Sequence, residues 1–148
     1  MAEVEMVIDS VRAALINYQR AAVLKEKAGE RYLPIWVGSY EADAISAGRM
    51  KLNSCASGPL VHDFVCSVIS KLGAALKCVV VYDFIQETFH AKVILERGGE
   101  AFEIDCRPSD AFATAIRACT PIYVTEEILE EVGLTLSEID KIFRFKKG

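Results

Sequence analysis

Asp105-Cys106-Arg107-Pro108-Ser109-Asp110-Ala111 puts two carboxylates, a thiol and a guanidinium at one corner of the chain. Apolar residues alternate through Phe102 and Ile104, then recur at helical spacing through Ala111, Ala115 and Ile116. A strand therefore ends, and a helix begins, at Arg107-Pro108. Pro108 suits a first helical turn, where its missing N–H costs nothing, and Asp110 complements the positive end of the helix dipole. Arg107 has no such structural reason. A forked cation beside the unpaired N–H groups of a helix start is a means of holding a phosphate. Cys106 would gain acidity from the same surroundings. Strand alternation, however, turns its side chain away from Asp105 and Arg107 and towards the core, so catalysis by Cys106 is not expected. The same parity puts Asp105 and Arg107 on one face if the strand persists to Arg107.

The elements that must position this corner are legible on either side of it. Gly98-Gly99 separates two alternating segments, Phe89 to Arg97 and Glu100 to Asp105, and Gln86-Glu87 joins the run Val79-Val80-Val81 to them. Three consecutive antiparallel strands are expected between Cys78 and Asp105. Leu60, Phe64, Val68, Ile69 and Leu72 mark one face of a helix that Gly73 closes in a left-handed cap. A further helix follows Ser39 as N-cap, through Ala42, Ile45 and Met50. Thr135 and Glu138 have capping-box spacing for a last helix that covers the core. The first thirty residues fit both periods. The turn formers Asn17 and Gly29 cut them into strand-length pieces, which favours two strands.

With 148 residues, 52% of them hydrophobic, the chain suits one well-buried core, and no linker or repeat divides it. We expect a single α+β domain, its core over about residues 3–125 and a helical extension over 126–148. The five cysteines are odd in number and contain no C-x-x-C pair, so reduced, cytoplasmic thiols are the expectation. No long apolar run follows a basic start, and no membrane span is expected. A net charge of −4 argues against a broadly basic surface that wraps nucleic acid. Most of the cations at Arg20, Lys25, Lys27, Arg31, Arg49, Lys51, Arg144, Lys146 and Lys147 read as solvated surface, and Trp36 reads as core or interface. High apolar content and several potential edge strands make a homo-oligomer, most simply a twofold dimer, the expected state.

Three motifs in order carry a resemblance: Arg31-Tyr32-Leu33-Pro34-Ile35-Trp36-Val37-Gly38 with Glu41-Ala42; Pro59-Leu60 with His62-Asp63; and Asp105 with Arg107-Pro108-Ser109-Asp110-Ala111. Together they resemble the bifunctional nuclease domain family, from about the N-terminus to Pro121-Ile122-Tyr123-Val124. The resemblance implies a compact α+β domain with a mixed or antiparallel sheet, an N-terminal segment of strands, and nuclease activity on DNA and RNA. Gly58 replaces the arginine, and Val61 the threonine, of the family pattern, while His90 aligns with a family tyrosine.

Hydrolysing a phosphodiester requires charge neutralisation at the nonbridging oxygens, an oriented water and protonation of the leaving oxygen. Glu41, Asp63, Asp105 and Asp110, with Asp43 nearby, supply enough carboxylates for magnesium or manganese. Arg107 and Arg31 are the candidate substrate-binding cations. His62, Asp63, Asp105 and Asp110 are the candidate catalytic residues, with His62 as general acid or base. Two other readings stay open: a noncatalytic module that binds an anion, a nucleotide or a protein, and a purely structural network of Asp105, Arg107 and Asp110. Acidic pI and the lost arginine at Gly58 favour the binding module.

Overall fold

The computed structural model describes residues 2–49 and 60–144. Met50, Lys51, Cys55, Gly58 and Pro59, like Lys146 and Lys147, lie outside the described residues. The N-terminal stretch forms two strands, as its turn residues predict: β1 (Glu3–Ala13) and β2 (Arg20–Glu26) pair antiparallel. Asn17 shapes the turn by accepting a hydrogen bond from the Gln19 N–H at 3.0 Å. β3 (Tyr32–Val37) pairs with β2 and leads directly into helix α1 (Ser39–Arg49). Gly38, rather than Ser39, provides the carbonyl that accepts the first helical bond, from Ala42.

Helix α2 (Val61–Lys71) closes at Gly73, whose positive φ of 78° is the expected left-handed cap. The expected three-strand meander follows as β4 (Ala75–Ile85), β5 (Thr88–Arg97) and β6 (Glu100–Cys106). Helix α3 (Pro108–Ala118) begins at the proline, with Arg107 as its N-cap. The short strand β7 (Ile122–Thr125) then inserts between β1 and β4, antiparallel to the first and parallel to the second. It completes a mixed seven-stranded sheet of order β3-β2-β1-β7-β4-β5-β6. Helix α4 (Glu126–Val132) follows, and the capping box of Thr135 and Glu138 opens α5 (Leu136–Ile142), with the threonine hydroxyl accepting the Glu138 N–H at 3.2 Å.

α1 and α3 pack on one face of the sheet around Met6, Leu24, Val79, Val81, Ala91, Phe112 and Val124. α5 covers the other face near β2 with Ile139 and Phe143 against Ala21, Val23 and Tyr32. Among the described residues no helix is long and apolar enough to cross a membrane.

Helix α2 departs from the expected packing. Phe64, Val68 and Leu72, read as a core face, are exposed, and the buried side chain of this helix is His62. A single sequence reports an apolar stripe but not which side of the helix finds a neighbour. Here the polar side does: His62 bonds Asp110, Asp63 bonds Arg117, and the Cys66 thiol lies 3.7 Å from the Thr114 carbonyl, all on α3.

Candidate functional site

The corner between β6 and α3 has two sides. Strand geometry ends at Cys106, and the Asp105 carboxylate stays on the outer sheet face, where it accepts the Tyr82 hydroxyl at 2.9 Å. Arg107 adopts the extended N-cap conformation and turns its guanidinium towards the helices. Because the strand stops one residue short, Asp105 and Arg107 do not share a face. Cys106 packs against the main core as its parity requires, and burial pushes its thiol up to about 11. This thiol stays protonated at neutral pH and is no nucleophile.

At the start of α3 a chain of charges connects three helices. Asp110 stands in the first turn, where its Oδ1 lies 3.0 Å from His62 Nε2 and its Oδ2 3.3 Å from Arg107 Nε. Glu41, in the first turn of α1, brings Oε1 to 3.8 Å from Arg107 Nη1. His62, Asp110, Arg107 and Glu41 therefore form one line, with Arg107 the most exposed member at 70% of its side chain. No side chain caps the N-terminus of α3, so its backbone dipole adds positive potential beside the guanidinium.

Arg107 and Glu41 line a cleft of about 330 Å³. Its walls are the end of β3 at Ile35 to Gly38, the β4–β5 turn at Glu87 to Phe89, and Pro108 and Ser109 of α3. That turn places Gln86 and Glu87 at φ of 51° and 61°, the paired left-handed conformation of a type I′ hairpin, without glycine. Gly38 sits under Glu41: a Cβ there would run into the Glu41 carboxylate.

The remaining candidates lie elsewhere. Asp63 accepts the Leu60 N–H at 3.0 Å and Arg117 Nε at 3.1 Å, which ties α2 to α3 rather than to the cleft. Asp43 pairs with Arg20 at 2.6 Å. Arg31 is held between Glu26 and Glu126, each at 2.8 Å from its Nη2, and this fork holds the Glu26 carboxyl below its ordinary value. Tyr32, Leu33 and Pro34 of β3 separate Arg31 from the cleft wall at Ile35 by roughly 13 Å of extended chain. Sequence reasoning missed Arg117, the one cation of α3. Its side chain is nearly buried and also donates to the carbonyls of Ala113 and Ala44, joining α1, α2 and α3. A lone cation on a helix otherwise small and apolar was the available signal.

Asp63, Asp105, Asp110 and Glu41 do not converge, and among the described residues no three Asp, Glu, His or Cys side chains are grouped to hold a metal ion. Of the four, Glu41 lines the cleft, and Asp110 reaches it through Arg107.

Comparison with known proteins places this geometry. The family model of the bifunctional nuclease domain matches residues 22–137, which include β3, the cleft and α3. An uncharacterized protein of Mycobacterium tuberculosis is 37% identical over 138 residues, covering 93% of this chain and 80% of its own length. Bifunctional nuclease 2 of Oryza sativa is 31% identical over 120 residues, and bifunctional nuclease 1 of Arabidopsis thaliana 30% over 126. The matches cover 78% and 82% of this chain but only 36% and 38% of those plant proteins. On the extent of the family match, the chain belongs to the bifunctional nuclease domain family.

Proposed function

We propose that this chain hydrolyses phosphodiester bonds of DNA and RNA at the cleft beside Arg107. The observation that carries this reading is an exposed guanidinium at the uncapped start of a helix, inside the family's matched region. Arg107 would bind two nonbridging phosphate oxygens in fork geometry, with the α3 dipole adding to the attraction. Asp110 would orient the attacking water and accept its proton, and solvent in the cleft would protonate the leaving oxygen as its bond to phosphorus breaks. The other Asp110 oxygen is fixed by His62, which is buried and acts through Asp110 as a positioning residue. Magnesium or manganese, brought with substrate oxygens to Glu41 at the cleft wall, would supply further charge neutralisation. Asp63, Asp105 and Arg31, bonded within the fold, stay outside this mechanism.

Cleavage of labelled single- and double-stranded DNA and RNA, with magnesium, manganese or EDTA, tests the proposal on wild type, Arg107→Ala and Asp110→Asn. Metal-dependent cleavage that falls in both folded variants is the expected result. Equal activity in all three, or none in any, overturns it. A second reading is favoured by the carboxylates on both sides of Arg107 and by the net charge of −4. In it the cleft binds a nucleotide without cleaving it, and the wild type shows Arg107-dependent nucleotide binding with no turnover.

A further inference from the structure

The apolar stripe of α2 runs through Val61, Phe64, Val65, Val68 and Leu72, spaced to fall on one side of the helix, and all five are exposed. Phe64 and Leu72 are 64% and 65% exposed. β6 adds Phe102 and Ile104, 44% and 49% exposed, on the face that also carries Cys106. α3 lies over β4 and β5 and packs against both α1 and α2, while α2 meets the sheet at β4, so the α2 stripe belongs to the half of the sheet that ends in the β6 edge. Side chains of this size, ~150–250 Å² each when aromatic and less when aliphatic, put the exposed apolar area of these seven on the order of 600 Å². That reaches the upper end of the largest patches on monomers, about 300–600 Å², and approaches the roughly 800 Å² per partner of a stable interface.

We propose that this face docks a second copy of the chain, with β6 pairing antiparallel to its own counterpart. β6 is an edge strand, and its outer row of backbone groups has no neighbour among the described strands. The opposite edge is closed: Pro34 interrupts β3, and Tyr32 exchanges backbone bonds of 2.7 and 2.8 Å with Leu134. A twofold axis normal to the sheet keeps both helical sides on one side of the seam. Phe102 and Ile104 of each copy then lie together between the two α2 stripes, a self-complementary contact. Charge argues against nucleic acid on this face, because the charged residue that β6 adds beside Phe102 and Ile104 is Glu100. Lys92 pairs with Glu103 at 2.6 Å and lowers the repulsion between the two copies on the outer sheet face. The inner side of the same helix holds α3 through His62 and Asp63, so assembly would also brace the start of α3.

Sedimentation velocity on the full chain tests this with Phe64→Asp and Phe102→Lys, folding being checked by circular dichroism. Ile16→Lys, at a side chain 94% exposed on the β1–β2 turn, is the control. The expected result is an assembled wild type and control, and a dissociation constant raised about 100-fold or more in both variants. A monomeric wild type overturns the proposal and leaves the face to a different partner. Assembly that survives both substitutions overturns it as well. Should neither variant fold, hydrogen exchange of the wild type on dilution decides: β6 amides must lose protection as the assembly dissociates, and unchanged protection refutes the interface.

Discussion

Arg31 and Arg107 belong to the same family pattern and sit near opposite ends of the path from β3 to α3, yet the fold treats them differently. Arg31 reaches two carboxylates at 2.8 Å, one of them the nearly buried Glu26, and keeps 36% of its side chain exposed. Arg107 meets its carboxylates at 3.3 and 3.8 Å and keeps 70%. A guanidinium whose fork is filled by its own protein contributes to stability. One whose partners touch only its rim retains donors for a ligand. The contrast separates a strut from a binding group within a single motif set.

The sharpest way to break the contrast is activity. Arg107→Ala is expected to lower cleavage by about 100-fold, the scale on which removing one transition-state donor acts. Arg31→Ala should leave turnover of the folded protein near wild type, and a comparable loss in both variants would erase the distinction. Stability gives the mirror image. Arg31→Ala should cost about 2 kcal/mol in urea unfolding, less than the 3–5 kcal/mol for breaking a fully buried pair, because Arg31 is partly solvated. Arg107→Ala should stay within about 0.5 kcal/mol, as an exposed pair does. A smaller effect, near tenfold in cleavage, is expected for Arg107→Lys, which keeps the charge but loses the fork.

The smallest expected effect is in pH dependence. Arg31 depresses the Glu26 carboxyl below its ordinary 4.5, so this interaction stabilises the fold fully above 4.5. It is lost as pH falls through the lower folded-state value. Acid unfolding of Arg31→Ala should lack that component, and profiles of identical slope below pH 4.5 would show that the pair does not act through Glu26.

Local signals carried much of the fold. Gly98-Gly99 and Gln86-Glu87 mark their turns because a two-residue hairpin restricts backbone angles whatever surrounds it, although Gln86 and Glu87 adopt those angles without glycine. Pro108 at the start of α3 and the box of Thr135 and Glu138 are equally local. β7 was not read as a strand, since its four residues show too little periodicity and owe their place to pairing with β1 and β4. Within the site, Arg107, Asp110, His62 and Glu41 were all singled out in the sequence, and the fold aligns them. Asp105 was grouped with them by parity, but the strand ended one residue early.

The sequence by itself determined the α+β class, the turns, the cap residues and the charged corner, because each follows from backbone preferences and periodicities within a few residues. Tertiary structure alone decided that Asp63 faces Arg117 and that Arg31 is enclosed by Glu26 and Glu126. It also decided that the apolar stripe of α2 points outward. The reason is physical: a side chain's type fixes what bonds it can make, but which partner reaches it, and which face is covered, depends on segments far apart in the chain that meet only in the packed fold.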